Sequence, residues 1–235
     1  MPSASAIRRQ KATPAKGCNG SRRAIASLTA AALPLALQLP LALQLTVALP
    51  SARADPVADC NQDKDRERCI RGCTAYIESN RDPEGLANAY HNRAVARMQE
   101  GEVDRAIADY DKVVAIMPHY ADVYYNRGIA YGIKGDISRA ISDYGKAINN
   151  NPRDHDAYRN RGDAYRSRSD YARAVADYTS AIALQPNDAS LYTKRGLAYA
   201  GRGEFAYALA DATKAATLAL TGGEPTRSRR AKRDP

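Results

Sequence analysis

The chain has 235 residues and a formal charge of +9, from 35 Lys and Arg against 26 Asp and Glu. The excess is not spread evenly: residues 1–54 hold seven basic residues and no acid, which leaves 28 bases against 26 acids in the remainder. A near-neutral body removes most of the support for nucleic-acid binding through a basic surface, and the length allows one or two domains.

The leader opens with a basic segment that includes Arg22 and Arg23 and runs into residues 24–50, which are uncharged and rich in Leu and Ala. It ends at Ala52-Arg53-Ala54, the A-x-A pattern of a signal-peptidase site, with Asp55 next. This predicts an export signal over 1–54 and a mature chain that is periplasmic or secreted from a bacterium. The apolar stretch is longer than an ordinary signal core. The alternative is therefore an uncleaved membrane anchor, kinked at Pro34 and Pro40.

Residues 55–86 carry three cysteines, Cys60, Cys69 and Cys73. Over 66–78 the spacing is helical, with Cys69, Ile70, Cys73 and Ile77 on one side. We read this as a capping helix over the N-terminal face of a helical array that begins at residue 87. In an exported chain these cysteines suggest a disulfide. Cys69 and Cys73 sit one turn apart on one helix, which suits a bond poorly, so the expected pair is Cys60–Cys73, with Cys60 folding back from an irregular stretch. A metal site is the rival reading, but three cysteines with no nearby His do not support it.

From residue 87 the sequence repeats every 34 residues: 87–120, 121–154, 155–188 and 189–222. The fourth position is Tyr90, Tyr124, Tyr158 and Tyr192, and the seventh is Arg93, Arg127, Arg161 and Arg195. The eighth is small (Ala94, Gly128, Gly162, Gly196), the twentieth is Ala, and the twenty-third is Asp109, Asp143, Asp177 and Asp211. In the second unit Tyr124, Ile129 and Tyr131 fall at helical spacing, as do Ile137, Ala140, Ile141 and Tyr144, with Gly135-Asp136 between them and Pro152 at the end. Each unit is therefore a helical hairpin that cannot bury its apolar face alone, and stacking supplies the core. Position 7 and position 23 lie on opposing helices, so their charges predict a structural ladder; the alternative is an Arg column presented to an acidic ligand. Residues 223–235 form a basic tail that reads as disordered.

The repeat pattern resembles the tetratricopeptide repeat (TPR), a family marked by an aromatic at position 4, Gly at 8, Tyr at 11, Ala at 20, an aromatic at 24, Ala at 27 and Pro at 32. The second unit matches with Tyr124, Gly128, Tyr131, Ala140, Tyr144, Ala147 and Pro152, and the third matches equally. The first departs at Arg97 and Val113, and the fourth at Ala212 and Leu220. All four place Arg at position 7, where the family usually has Leu. The resemblance spans 136 of 235 residues. It implies an all-α fold: a right-handed solenoid of four TPR hairpins behind the N-terminal capping helix.

The resemblance also implies a concave groove lined by the first helix of each hairpin. Carried over position by position, the partner-binding residues are His91, Asn92, Tyr125, Asn126, Ile129, Arg159, Asn160, Asp163 and Lys194. Leu197 and Ile133 fall in the same columns. The Asn residues at position 6 read in two ways, as donors and acceptors for a peptide backbone or as bonds to the neighbouring helix.

Nothing in the chain has the arrangement of a catalytic site. His91, His119 and His155 occupy different repeat positions, and no nucleophile elbow or phosphate-cradling Gly loop is present. The expected function is a non-catalytic scaffold holding a protein or peptide partner in the cell envelope, with no cofactor and no metal. The alternative is a structural subunit of an envelope or membrane-associated assembly. Membrane contact would run through a retained leader or through the basic tail.

Overall fold

The structure is a computed structural model that describes residues 56–61, 65–79 and 82–221. The expected leader (1–54) and basic tail (223–235) lie outside them. The described residues form ten helices and no strand. These are α1 (Pro56–Cys60), α2 (Arg66–Ser79), α3 (Pro83–Glu100), α4 (Val103–Ile116), α5 (Ala121–Lys134), α6 (Ile137–Asn150), α7 (His155–Ser167), α8 (Tyr171–Leu184), α9 (Ala189–Gly201) and α10 (Phe205–Leu220). Each packs against the helix before it and the helix after it, from α1 to α10. Such nearest-neighbour packing makes a solenoid. No helix among the described residues is long and apolar enough to cross a membrane.

Local sequence sets the helix ends. Asp82, Asp136, Asp154, Asp170 and Asp188 each accept a backbone N–H of the following first turn, which satisfies donors that have no partner within the helix. Three hairpins turn at a glycine in the left-handed region, Gly101, Gly135 and Gly203; the third uses Ser169 at the same repeat position, with φ 59°. α3 begins at Pro83, ahead of the repeat boundary at Ala87, because Asp82 caps it and Pro83 suits the first helical turn. Cys60 lies in a short helix, α1, and not in an irregular stretch.

Tyrosines at position 24 fill the hairpins. Tyr110, Tyr144 and Tyr178 are buried, and in the second and third hairpins the glycine at position 8 makes room for the ring. A Cβ on Gly128 would stand 2.8 Å from Tyr144 Cε1, and one on Gly162 the same distance from the Tyr178 ring. In the last hairpin Ala212 replaces the tyrosine and is exposed, so that core is thinner.

The position 7 and position 23 columns pair within each hairpin. Arg93, Arg127, Arg161 and Arg195 donate through Nε and Nη2 to both carboxylate oxygens of Asp109, Asp143, Asp177 and Asp211, at 2.7–2.9 Å. All four carboxylates are buried. The third nitrogen, Nη1, reaches the preceding hairpin or cap: Arg93 to Thr74 at 2.9 Å, Arg127 to Asp111 at 2.6 Å and Arg195 to Thr179 at 3.1 Å. One guanidinium thus ties two helices of a hairpin to the helix before them. Burial works against the charge of Arg127, but its bonds to Asp143 and Asp111 outweigh that and raise its pKa.

At the N-terminal end α2 packs on α3, and Cys60, Cys69 and Cys73 join Ala89 and Ala96 in a small core. The Cys60 and Cys73 sulfurs lie 2.10 Å apart, at disulfide distance, with Cα atoms 4.4 Å apart. Cys69 is buried beside them, its sulfur 3.9 Å from that of Cys73.

Candidate protein-binding groove

Beyond consecutive partners, α3 touches α5 and α7 touches α9, first helix to first helix. The first helices therefore form the more closely spaced, inner layer of the solenoid. Position 6 of each hairpin reaches back along this layer. Asn126 Nδ2 lies 3.1 Å from His91 Nε2, and Asn160 Nδ2 donates to the Tyr125 hydroxyl at 3.2 Å. Lys194 Nζ bonds both carboxylate oxygens of Asp163 at 2.8 Å. Asn92 Nδ2 donates to Asn61 Oδ1 at 3.0 Å and so ties α3 to the residue following α1. The amides of the Asn column thus join neighbouring helices, the second of the two readings its sequence allows.

The structure sorts the nine expected groove residues into two groups. His91, Tyr125 and Asn126 are 3%, 4% and 2% exposed, so these side chains are packed inside the array and not displayed on an open surface. The cause is side-chain size at position 5. The His91 ring packs on those of Tyr110 and Tyr120, with centroids 6.0 and 5.5 Å away, and the Tyr125 ring on that of Tyr144 at 6.1 Å. Burial also lowers the pKa of His91, against the opposing pull of Asp122 and Asn92.

Asn92, Ile129, Arg159, Asn160, Asp163 and Lys194 are half-buried. Arg159 Nη2 meets Asp156 Oδ1 at 2.8 Å, and Asp163 accepts the Tyr178 hydroxyl at 2.7 Å as well as Lys194. Ile133 on α5 and Leu197 on α9 are more than half exposed. Their repeat positions belong to the groove columns, but only their exposure distinguishes them, and exposure depends on how far the neighbouring helix reaches. The inner layer over α5, α7 and α9 is therefore a strip of partly open charges bordered by two open aliphatic side chains.

Asp154, His155 and Asp156 bring ligand-type atoms within 4.8 Å of one another. Asp154 accepts the Asp156 and Ala157 amides that start α7, and Asp156 holds Arg159. These carboxylates serve the helix start and an ion pair.

The family models agree with this geometry. One described as "Tetratricopeptide repeat" matches residues 121–154, and one described as "TPR repeat" matches 94–132 and 162–203. The chain is a tetratricopeptide-repeat protein. A crystal structure of MamA is 25% identical, with a TM-score of 0.64 over 68% of this chain and 92% of that one. The structure "MamA 41-end from Desulfovibrio magneticus RS-1" is 19% identical, with a TM-score of 0.64 over 70% of this chain and 92% of its own, and shares the fold. No curated protein matches the sequence. As a TPR array of this form, the chain is a protein-interaction scaffold.

Proposed function

We propose that the chain is a non-catalytic scaffold that holds an extended segment of a partner protein along the inner layer of α5, α7 and α9, in the periplasm or secreted. The observation that carries this reading is the half-buried set Arg159, Asn160, Asp163 and Lys194, flanked by exposed Ile133 and Leu197. A segment laid across it forms ion pairs and hydrogen bonds with Arg159, Asp163 and Lys194, in competition with their own pairs, and covers the two aliphatic side chains. The envelope location rests on the acid-free leader and Ala52-Arg53-Ala54.

The test is binding to a peptide library by the chain and by its Lys194→Ala, Leu197→Glu variant. Peptides that the native chain retains and the variant loses support the groove. If deletion from Arg227 onward abolishes binding while the groove variant retains it, the alternative reading holds, a structural subunit of an envelope or membrane-associated assembly.

A further inference from the structure

Of the seven large apolar residues exposed among the described residues, five belong to α9 and α10: Leu197, Phe205, Tyr207, Leu209 and Leu220. The repeat register shows what the α10 part of this surface is. Leu209, Ala212 and Ala216 stand one period after Val175, Tyr178 and Ile182. Those three are buried, on a helix that packs against the next hairpin through α9. The outer face of α10 therefore repeats the hairpin-to-hairpin interface, yet Leu209 is 69% exposed. Terminal units of stacked arrays ordinarily turn a polar face outward. The opposite end obeys this rule: α2 exposes Arg66, Glu67, Arg68 and Arg71.

We propose that two copies of the chain pack α10 against α10 about a two-fold axis. Charge decides the occupant. α10 carries only Asp211 and Lys214, and Asp211 is buried against Arg195, so two such faces meet with almost no charge to desolvate. The charged outer face of α2 is a poor match for this surface, which disfavours head-to-tail stacking. Residues 223–235 hold five basic residues and no large apolar one, so they are a poor cover for it too. A self-complementary apolar face is what an isologous dimer requires.

Sedimentation velocity over a concentration series tests this on the full chain and on a Phe205→Glu, Leu209→Glu variant. Both positions are exposed, so the variant should retain its helical circular dichroism. The expected result is a native dimer and a monomeric variant. Ala212→Cys should additionally give a 212–212 linked dimer on oxidation. A native chain that stays monomeric overturns the proposal, and so does a variant that stays dimeric. A dimer that yields no 212–212 link overturns the two-fold arrangement.

Discussion

Arg127 grips Asp143 with two parallel hydrogen bonds, Nε to Oδ2 at 2.7 Å and Nη2 to Oδ1 at 2.9 Å, and holds Asp111 of the preceding hairpin with its remaining nitrogen at 2.6 Å. The same fork-on-fork contact recurs in all four hairpins. Truncating the arginine leaves a carboxylate buried and unpaired, which costs far more than the intact pair contributes. Arg127→Ala should therefore lower stability by about 3–5 kcal/mol. Arg127→Lys should restore only part of this, because an ammonium on a flexible stem does not reproduce the planar fork. Urea unfolding of the three proteins checks both. A change below about 1 kcal/mol, the range of exposed pairs, would mean that the contact carries little.

Two glycines on α5 separate close packing from helix propensity. A Cβ on Gly128 would stand 2.8 Å from the Tyr144 ring, whereas one on Gly132 would meet nothing nearer than the Tyr144 hydroxyl at 4.0 Å. Gly128→Ala should destabilise by about 1–3 kcal/mol through overpacking. Gly132→Ala should stabilise by up to about 1 kcal/mol, since alanine is the better helix former. Thermal melts of opposite sign are the expected outcome.

The hairpins and the arginine ladder were legible because the relationships repeat, the arginine–aspartate pair four times and the glycine–tyrosine contact twice. Gly128 against Tyr144 and Arg127 against Asp143 recur as columns, and a column in register implies a shared contact. The inner layer was less legible. Whether Asn126 faces a partner or His91 depends on the bulk at position 5 of the preceding hairpin, a contact 35 residues away that no local pattern encodes. α1 has only five residues, too few to show a period. Ser169 takes the left-handed turn conformation without the glycine that marks the other three.

The cap rests on a small core, so its covalent link matters. Cys60 and Cys73 close a short loop, 13 residues apart in sequence. Cross-linking a loop of this length is worth about 3 kcal/mol in the chain-entropy picture. Cys60→Ser should loosen α1 and α2 while leaving α5 to α8 intact. Hydrogen exchange should show faster exchange confined to the cap and α3. Peptide mapping without reductant should recover Cys60 joined to Cys73; recovery of three free thiols from oxidised material would remove the basis of this expectation.

His91 makes stability depend on pH. Its pKa is lowered in the folded chain, chiefly by burial, so the unfolded chain binds the proton more readily. Stability from this group is complete above the ordinary imidazole value of about 6.5 and declines as pH falls below it. The folded array should lose stability from about pH 6.5 downward, and His91→Gln should flatten that decline. A native chain equally stable on both sides of pH 6.5 would show that His91 titrates as freely folded as unfolded.

The inner layer should separate stability from binding. Tyr125 is buried against Tyr144 and accepts from Asn160, so Tyr125→Ala should cost about 3–5 kcal/mol, as large aromatic truncations in cores do. Tyr125→Phe keeps the ring and loses only the bond, at a cost of about 1 kcal/mol. Arg159 and Lys194 are half-buried and lie on the strip proposed to meet a partner. Arg159→Ala with Lys194→Ala should weaken retained peptides at least tenfold, about 1.4 kcal/mol. Its effect on unfolding should be smaller than that of Tyr125→Ala, because partly solvated pairs contribute about 1 kcal/mol or less each. Isothermal titration and thermal melts of the same three proteins make the comparison. If the double variant binds as tightly as the native chain, the partner does not lie on α7 and α9.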